Sequence, residues 1–125
     1  MRNSLDTAQL CAEAADNKKA IDILILDLRG LTYIADYFVI CSGSNTTQVS
    51  AISEEVSHIL AKAGEHPSHI EGGAESSWVL LDYGDVVVHV FEEQTRVYYG
   101  LEKLWSDAPR IPVAMRPQEL QGASS

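Results

Sequence analysis

Apolar residues recur along this chain with two periods, and the places where the period changes divide it into elements. Ser4 is placed to cap a first helix that runs to about Lys18, with Leu5, Ala8, Ala12 and Ala15 three or four residues apart on one face. That stripe is thin and rich in alanine. Ile21 to Leu28 is aliphatic and β-branched, with Asp22 and Asp27 near its ends and Gly30 beyond it, the pattern of a strand buried on both faces. Tyr37 to Cys41 repeats that character after a polar break at Asp36, so the two segments are expected to be neighbouring strands.

From Thr46 to Ala63 the period returns to that of a helix, with Val49, Ile52, Val56, Ile59, Leu60 and Ala63 on one face. Ser42 to Asn45 supplies the loop and cap ahead of it, and Gly64 ends it. Glu54, Glu55, His58 and Lys62 fall on the solvent side. Residues 65 to 77 read as a polar loop with room for a short strand at Ser68 to Glu71.

Strict alternation then takes over. Trp78 to Asp82 and Asp85 to Phe91 flank Tyr83-Gly84, which predicts a tight hairpin with Asp82 opposite Asp85. In that register Val79, Leu81, Val86, Val88 and Val90 share an aliphatic side that packs on the helices. The other side carries Trp78, Leu80, Asp82, Asp85, Val87, His89 and Phe91, large apolar groups beside an acidic pair, and has the composition of an interaction surface. Glu93 to Trp105 predicts a last helix with Val97, Tyr98, Leu101, Leu104 and Trp105 on its stripe, stopped by Asp107-Ala108-Pro109. From Pro109 on the chain has three of its four prolines and no periodicity, so residues 109–125 are expected to be a disordered tail behind one domain over 1–108.

The length of 125 residues suits one hydrophobic core, and 46% hydrophobic with 22% charged residues is the balance of a chain that folds unaided. Charge changes the picture more. The net charge of -9 repels phosphate backbones and anionic lipid, so direct nucleic-acid or membrane binding is disfavoured and a basic protein partner fits better. The charged residues after 105 cancel, which leaves the whole excess on residues 1–105. Cys11 and Cys41 have no C-x-x-C spacing and read as reduced, buried thiols. No leader or spanning run is apparent, and a cytoplasmic location is expected.

Gly43-Ser44, between a strand and a helix, is the most enzyme-like feature, since the amides at a helix start can hold a phosphate. A nucleotidyl transferase also needs closely spaced carboxylates on the next strand to hold divalent metal, and none follows there. His66 and His69 are three residues apart without the remaining ligands of a recognised metal pattern, and surface histidines explain them. Ser44 or Cys41 as a nucleophile lacks an assignable base, and neither has a nucleophile elbow around it. No catalytic residue, cofactor or metal is therefore assigned. Trp78 and Tyr83 carry two readings side by side, completion of a small core or anchors of a protein-binding hot spot, whereas Tyr98 and Trp105 are expected in the core.

The run Asp36-Tyr37-Phe38-Val39-Ile40-Cys41-Ser42-Gly43-Ser44, then Gln48-Val49 and Ala51-Ile52, resembles the Iojap family of ribosome-silencing factors. Glu71-Gly72, the run from Trp78 to Phe91, Tyr98-Tyr99, Leu101-Glu102 and Leu104-Trp105 follow in that family's order, and the likeness covers about Leu5 to Ala108 without the tail. The resemblance implies an α/β (α+β) fold, a single mixed β-sheet with helices packed on it, similar to nucleotidyltransferases without their catalytic carboxylates. It further implies a non-enzymatic repressor of translation that binds the large ribosomal subunit through ribosomal protein uL14 and sterically blocks the small subunit from joining. The alternative is a nucleotide-binding or nucleotidyltransferase-like enzyme using Gly43-Ser44. Strand alternation within the matched segment selects Trp78, Asp82, Tyr83, Asp85, His89 and Tyr99 as contact residues, and an exposed apolar sheet face of this kind favours a homodimer when the protein is free.

Overall fold

The computed structural model describes residues 3–114. In chain order the elements are α1 (Ser4–Asn17), β1 (Ile21–Asp27), β2 (Tyr37–Gly43), α2 (Thr46–Lys62), β3 (His69–Glu71), β4 (Trp78–Asp82), β5 (Val86–Glu92), α3 (Glu93–Tyr99), α4 (Leu101–Leu104) and β6 (Arg110–Ile111). The strands form one six-stranded mixed sheet in the order β3-β4-β5-β2-β1-β6, as expected of an α+β fold. Only β2 and β5 run parallel; the other pairs are antiparallel.

The starts of α1 and α2 are set by asparagine. The Asn3 side chain accepts from the Asp6 amide and the Asn45 side chain from the Gln48 amide, each satisfying a donor that the first turn leaves without a partner. Ser4, expected to cap α1, instead donates its hydroxyl to Asp36 at 2.9 Å. The alanine stripe of α1 is a device for close approach: Ala8, Ala12 and Ala15 are fully buried with Cys11 against the sheet and α2. β2 lies in mid-sheet and is buried at every position, whereas β1 is only partly buried and bulges where Asp22 takes a positive φ of 50°.

Two apolar layers sandwich the sheet. On one side Ile25, Val39, Val79, Leu81, Val86, Val88 and Val90 meet α1 and α2; on the other Leu26, Phe38, Ile40, Val87 and Phe91 meet Leu28, Leu101, Trp105 and Ala108. The hairpin register is offset by two residues from the expected one, with Asp82 opposite Val87 and Gly84-Asp85 at the turn. Tyr83 closes the ladder by donating its amide to the Val86 carbonyl at 2.8 Å, so its side chain reaches the helix-side core. A shift of two leaves every strand residue on its expected face, because side chains alternate with period two.

The last predicted helix is divided. Gly100, at φ +58°, takes the left-handed conformation that ends α3 and starts α4 in a new direction. The 1–108 boundary also needs correction: Arg110–Ile111 pairs with β1 as an edge strand, and Gln9 ties down the chain at Pro112 and Ala114. The expected disorder thus does not begin at Pro109, and residues 115–125 lie outside the described ones.

Candidate interaction surface

Trp78 opens β4 on the side of the sheet away from α1 and α2, opposite Phe91 of β5. Its ring stacks on Phe91 with centroids 4.8 Å apart and leans on Tyr99 of α3 at 4.7 Å. Its indole Nε1 donates to His89 Nδ1 at 3.2 Å. Behind them His89 meets Phe38 edge-on at 4.6 Å, and Phe38 meets Trp105 at 6.1 Å. A continuous chain of rings therefore runs from the core to the surface, where Tyr98 packs edge-on against Tyr99 at 5.1 Å.

Three of the six residues selected from the sequence, Trp78, His89 and Tyr99, are brought together here. His89 is only 4% exposed, however, and is no contact residue; burial among these rings pushes its pKa down to about 4. Asp82 shares Trp78's side of β4 but lies four residues along, about 13 Å away at 3.3 Å per residue. Its carboxylate accepts from the Gly84 amide. Asp85 is exposed in the turn. Tyr83 faces the opposite way, against the α1 and α2 core, and burial raises its pKa to about 12.

The surface also includes residues assigned to the core from periodicity. Val97 and Tyr98 of α3 and Leu104 of α4 are open, at 80%, 82% and 71% exposure, with Tyr98 beside Tyr99. Apolar groups this open on two adjoining short helices are the mark of a surface awaiting a partner. The readable signals were Gly100 inside the helical pattern and the doubled tyrosine before it. Arg96 holds the corner in place: it is buried, donates to the Ser42 hydroxyl at 2.9 Å and forms an ion pair with Glu102 at 3.1 Å. A separate exposed group, Leu31, Tyr33 and Ile34, occupies the loop before β2.

The enzyme-like feature is committed to other work. The Ser44 amide and hydroxyl both donate to the Gln48 side-chain oxygen, at 2.7 and 2.9 Å, where a phosphate would have to sit. Gly43 has a packing reason, since a Cβ there would lie 3.0 Å from the Val49 amide nitrogen. Cys41 is fully buried and its pKa is raised to about 12, far from a reactive thiolate. Among the described residues no three of His, Cys, Asp and Glu are grouped to hold a metal ion, and no helix is long and apolar enough to cross a membrane.

Comparison with known proteins adds a family to this geometry. The family model described as "Ribosomal silencing factor during starvation" matches residues 1–125, so the likeness extends through the tail that the motifs alone left out. The chain is 44% identical over 117 residues to the ribosomal silencing factor RsfS of Halalkalibacterium halodurans, covering 94% of each chain. It is 48% identical over 107 residues to the factor of the same name from Bacillus subtilis, covering 86% of this chain and 91% of that one. A crystal structure of a protein from Chromobacterium violaceum superposes with a TM-score of 0.82 at 33% identity, over 92% of this chain and 95% of the other.

Proposed function

The chain belongs to the ribosomal silencing factor family, and on that premise we propose that it docks on the large ribosomal subunit through ribosomal protein uL14 and excludes the small subunit by steric overlap. The observation that carries the reading is the open aromatic surface of Tyr98 and Tyr99 continuous with Trp78, with Val97 and Leu104 also exposed on the same two short helices. Aromatic groups that lose water on docking act as anchors, and an interface of about 800 Å² per partner fits this surface together with the exposed side of β4. The charge of -9 steers the chain toward a basic ribosomal protein and away from bare RNA. Asp82 and Asp85, at the far end of the hairpin, meet lysine or arginine at the rim. Such an inhibitor forms and breaks no bond, and its work is done in the cytoplasm by occupancy alone.

Without a subunit to bind, the same apolar surface pairs two copies of the chain. One substitution addresses both states. Tyr98→Ala removes a side chain that is 82% exposed, so it leaves the core intact, yet it should weaken co-sedimentation with large subunits by about 2 kcal/mol, roughly 30-fold. It should also lower the mass seen by light scattering from two chains to one. Undiminished co-sedimentation would rule this surface out, and a single-chain mass for the unaltered protein at high concentration would rule out the pairing.

A further inference from the structure

We propose that His89 is a positioning residue that sets the orientation of Trp78 for docking, and that the partner meets Trp78 through apolar or cationic groups. This inference rests on the docking surface above. The Trp78 indole N–H donates to His89 Nδ1 at 3.2 Å, which places the imidazole hydrogen on Nε2. That second nitrogen is buried and finds no hydrogen-bond partner among the described residues. A phenyl or leucyl group at position 89 would fill the space between Phe38 and Phe91 without burying such a polar atom. What the imidazole adds is one directed acceptor, and the indole is what it directs.

The consequence reaches the surface because Trp78 is held on its inner side by Phe91 and His89 and leans outward on Tyr99. With its N–H used internally, the indole offers a partner only its carbon edge and ring face. An apolar side chain, or a guanidinium or ammonium over the ring, satisfies that surface; a hydrogen-bond acceptor aimed at the indole does not. The bond depends on a neutral imidazole. The groups facing His89 are Phe38 and Ile40 from β2, Trp78 and Leu80 from β4, and Phe91 on its own strand, none of them charged. The nearest ionisable group along the chain of rings is Tyr99, beyond Trp78.

The test compares His89→Phe, which packs but cannot accept, with His89→Asn, whose side-chain oxygen falls near the place of Nδ1. In the full-length chain the Trp78 indole N–H resonance should be protected from solvent exchange at neutral pH and lose protection in His89→Phe. It should keep protection in His89→Asn. Acidification toward pH 4 should remove protection from the unaltered chain and leave His89→Asn unaffected. Affinity for purified large subunits should fall about tenfold in His89→Phe, the worth of one hydrogen bond, and recover in His89→Asn. A His89→Phe chain that binds as tightly as the unaltered one, or a His89→Asn chain as weak as His89→Phe, overturns the inference. An unaltered chain that does not bind large subunits overturns the docking reading instead, and the indole resonance still decides whether His89 holds Trp78.

Discussion

Burial holds the His89 imidazole neutral, with its pKa near 4 against about 6.5 in an unfolded chain, and this ties folding to pH. Between those values the unfolded chain binds the extra proton and the folded one does not. The contribution to stability is therefore complete above about pH 6.5 and is lost as pH falls to about 4, a change on the order of 3 kcal/mol. Urea unfolding of the unaltered chain and of His89→Phe across that window should show the steeper decline in the unaltered chain. Equal slopes would mean that the imidazole is not kept neutral by the core. Tyr83 records the same force on the opposite layer, where desolvation keeps its phenol protonated to about pH 12.

At the scale of elements, the surface depends on the break at Gly100. Its φ of +58° costs a side-chain-bearing residue about 1 kcal/mol, and a Cβ there would meet nothing nearer than 3.8 Å, so the penalty is conformational and not steric. Gly100→Ala should lower the unfolding free energy by about 1 kcal/mol, read as a lower urea midpoint, and weaken subunit binding by turning α4. A stabilised Gly100→Ala chain would show instead that a continuous helix from Glu93 is preferred, with Tyr98 turned differently. The break also marks where sequence reading stopped. Periodicity alone placed α1, α2 and the strands β1, β2, β4 and β5, with the buried faces of β2, β4 and β5, because burial selects apolar residues at the period of each element. It misplaced Val97, Tyr98 and Leu104 because an apolar stripe looks alike whether it faces a core or a partner. The hairpin shows the reverse case, in which the register slipped by two residues yet each face kept its composition. Tyr83 escaped this protection, since it was read as a turn residue and turns carry no facing rule. β6 was missed because a two-residue edge strand has no period to read.

Across the whole molecule, the division of labour follows the layers. α1 and α2 seal one side of the sheet, while the other is sealed only in part, by short helices that Arg96 fastens to Ser42 and Glu102. That unequal cover leaves the aromatic surface open at the end where α3 leaves β5. Under the proposed docking, silencing requires affinity and position alone. The most direct test is sucrose-gradient analysis of purified subunits mixed under associating conditions, with and without this protein. Joined ribosomes should fall, the protein should travel with the large subunit, and Tyr98→Ala should restore joining. Unchanged association, with the protein left at the top of the gradient, would contradict the proposed docking.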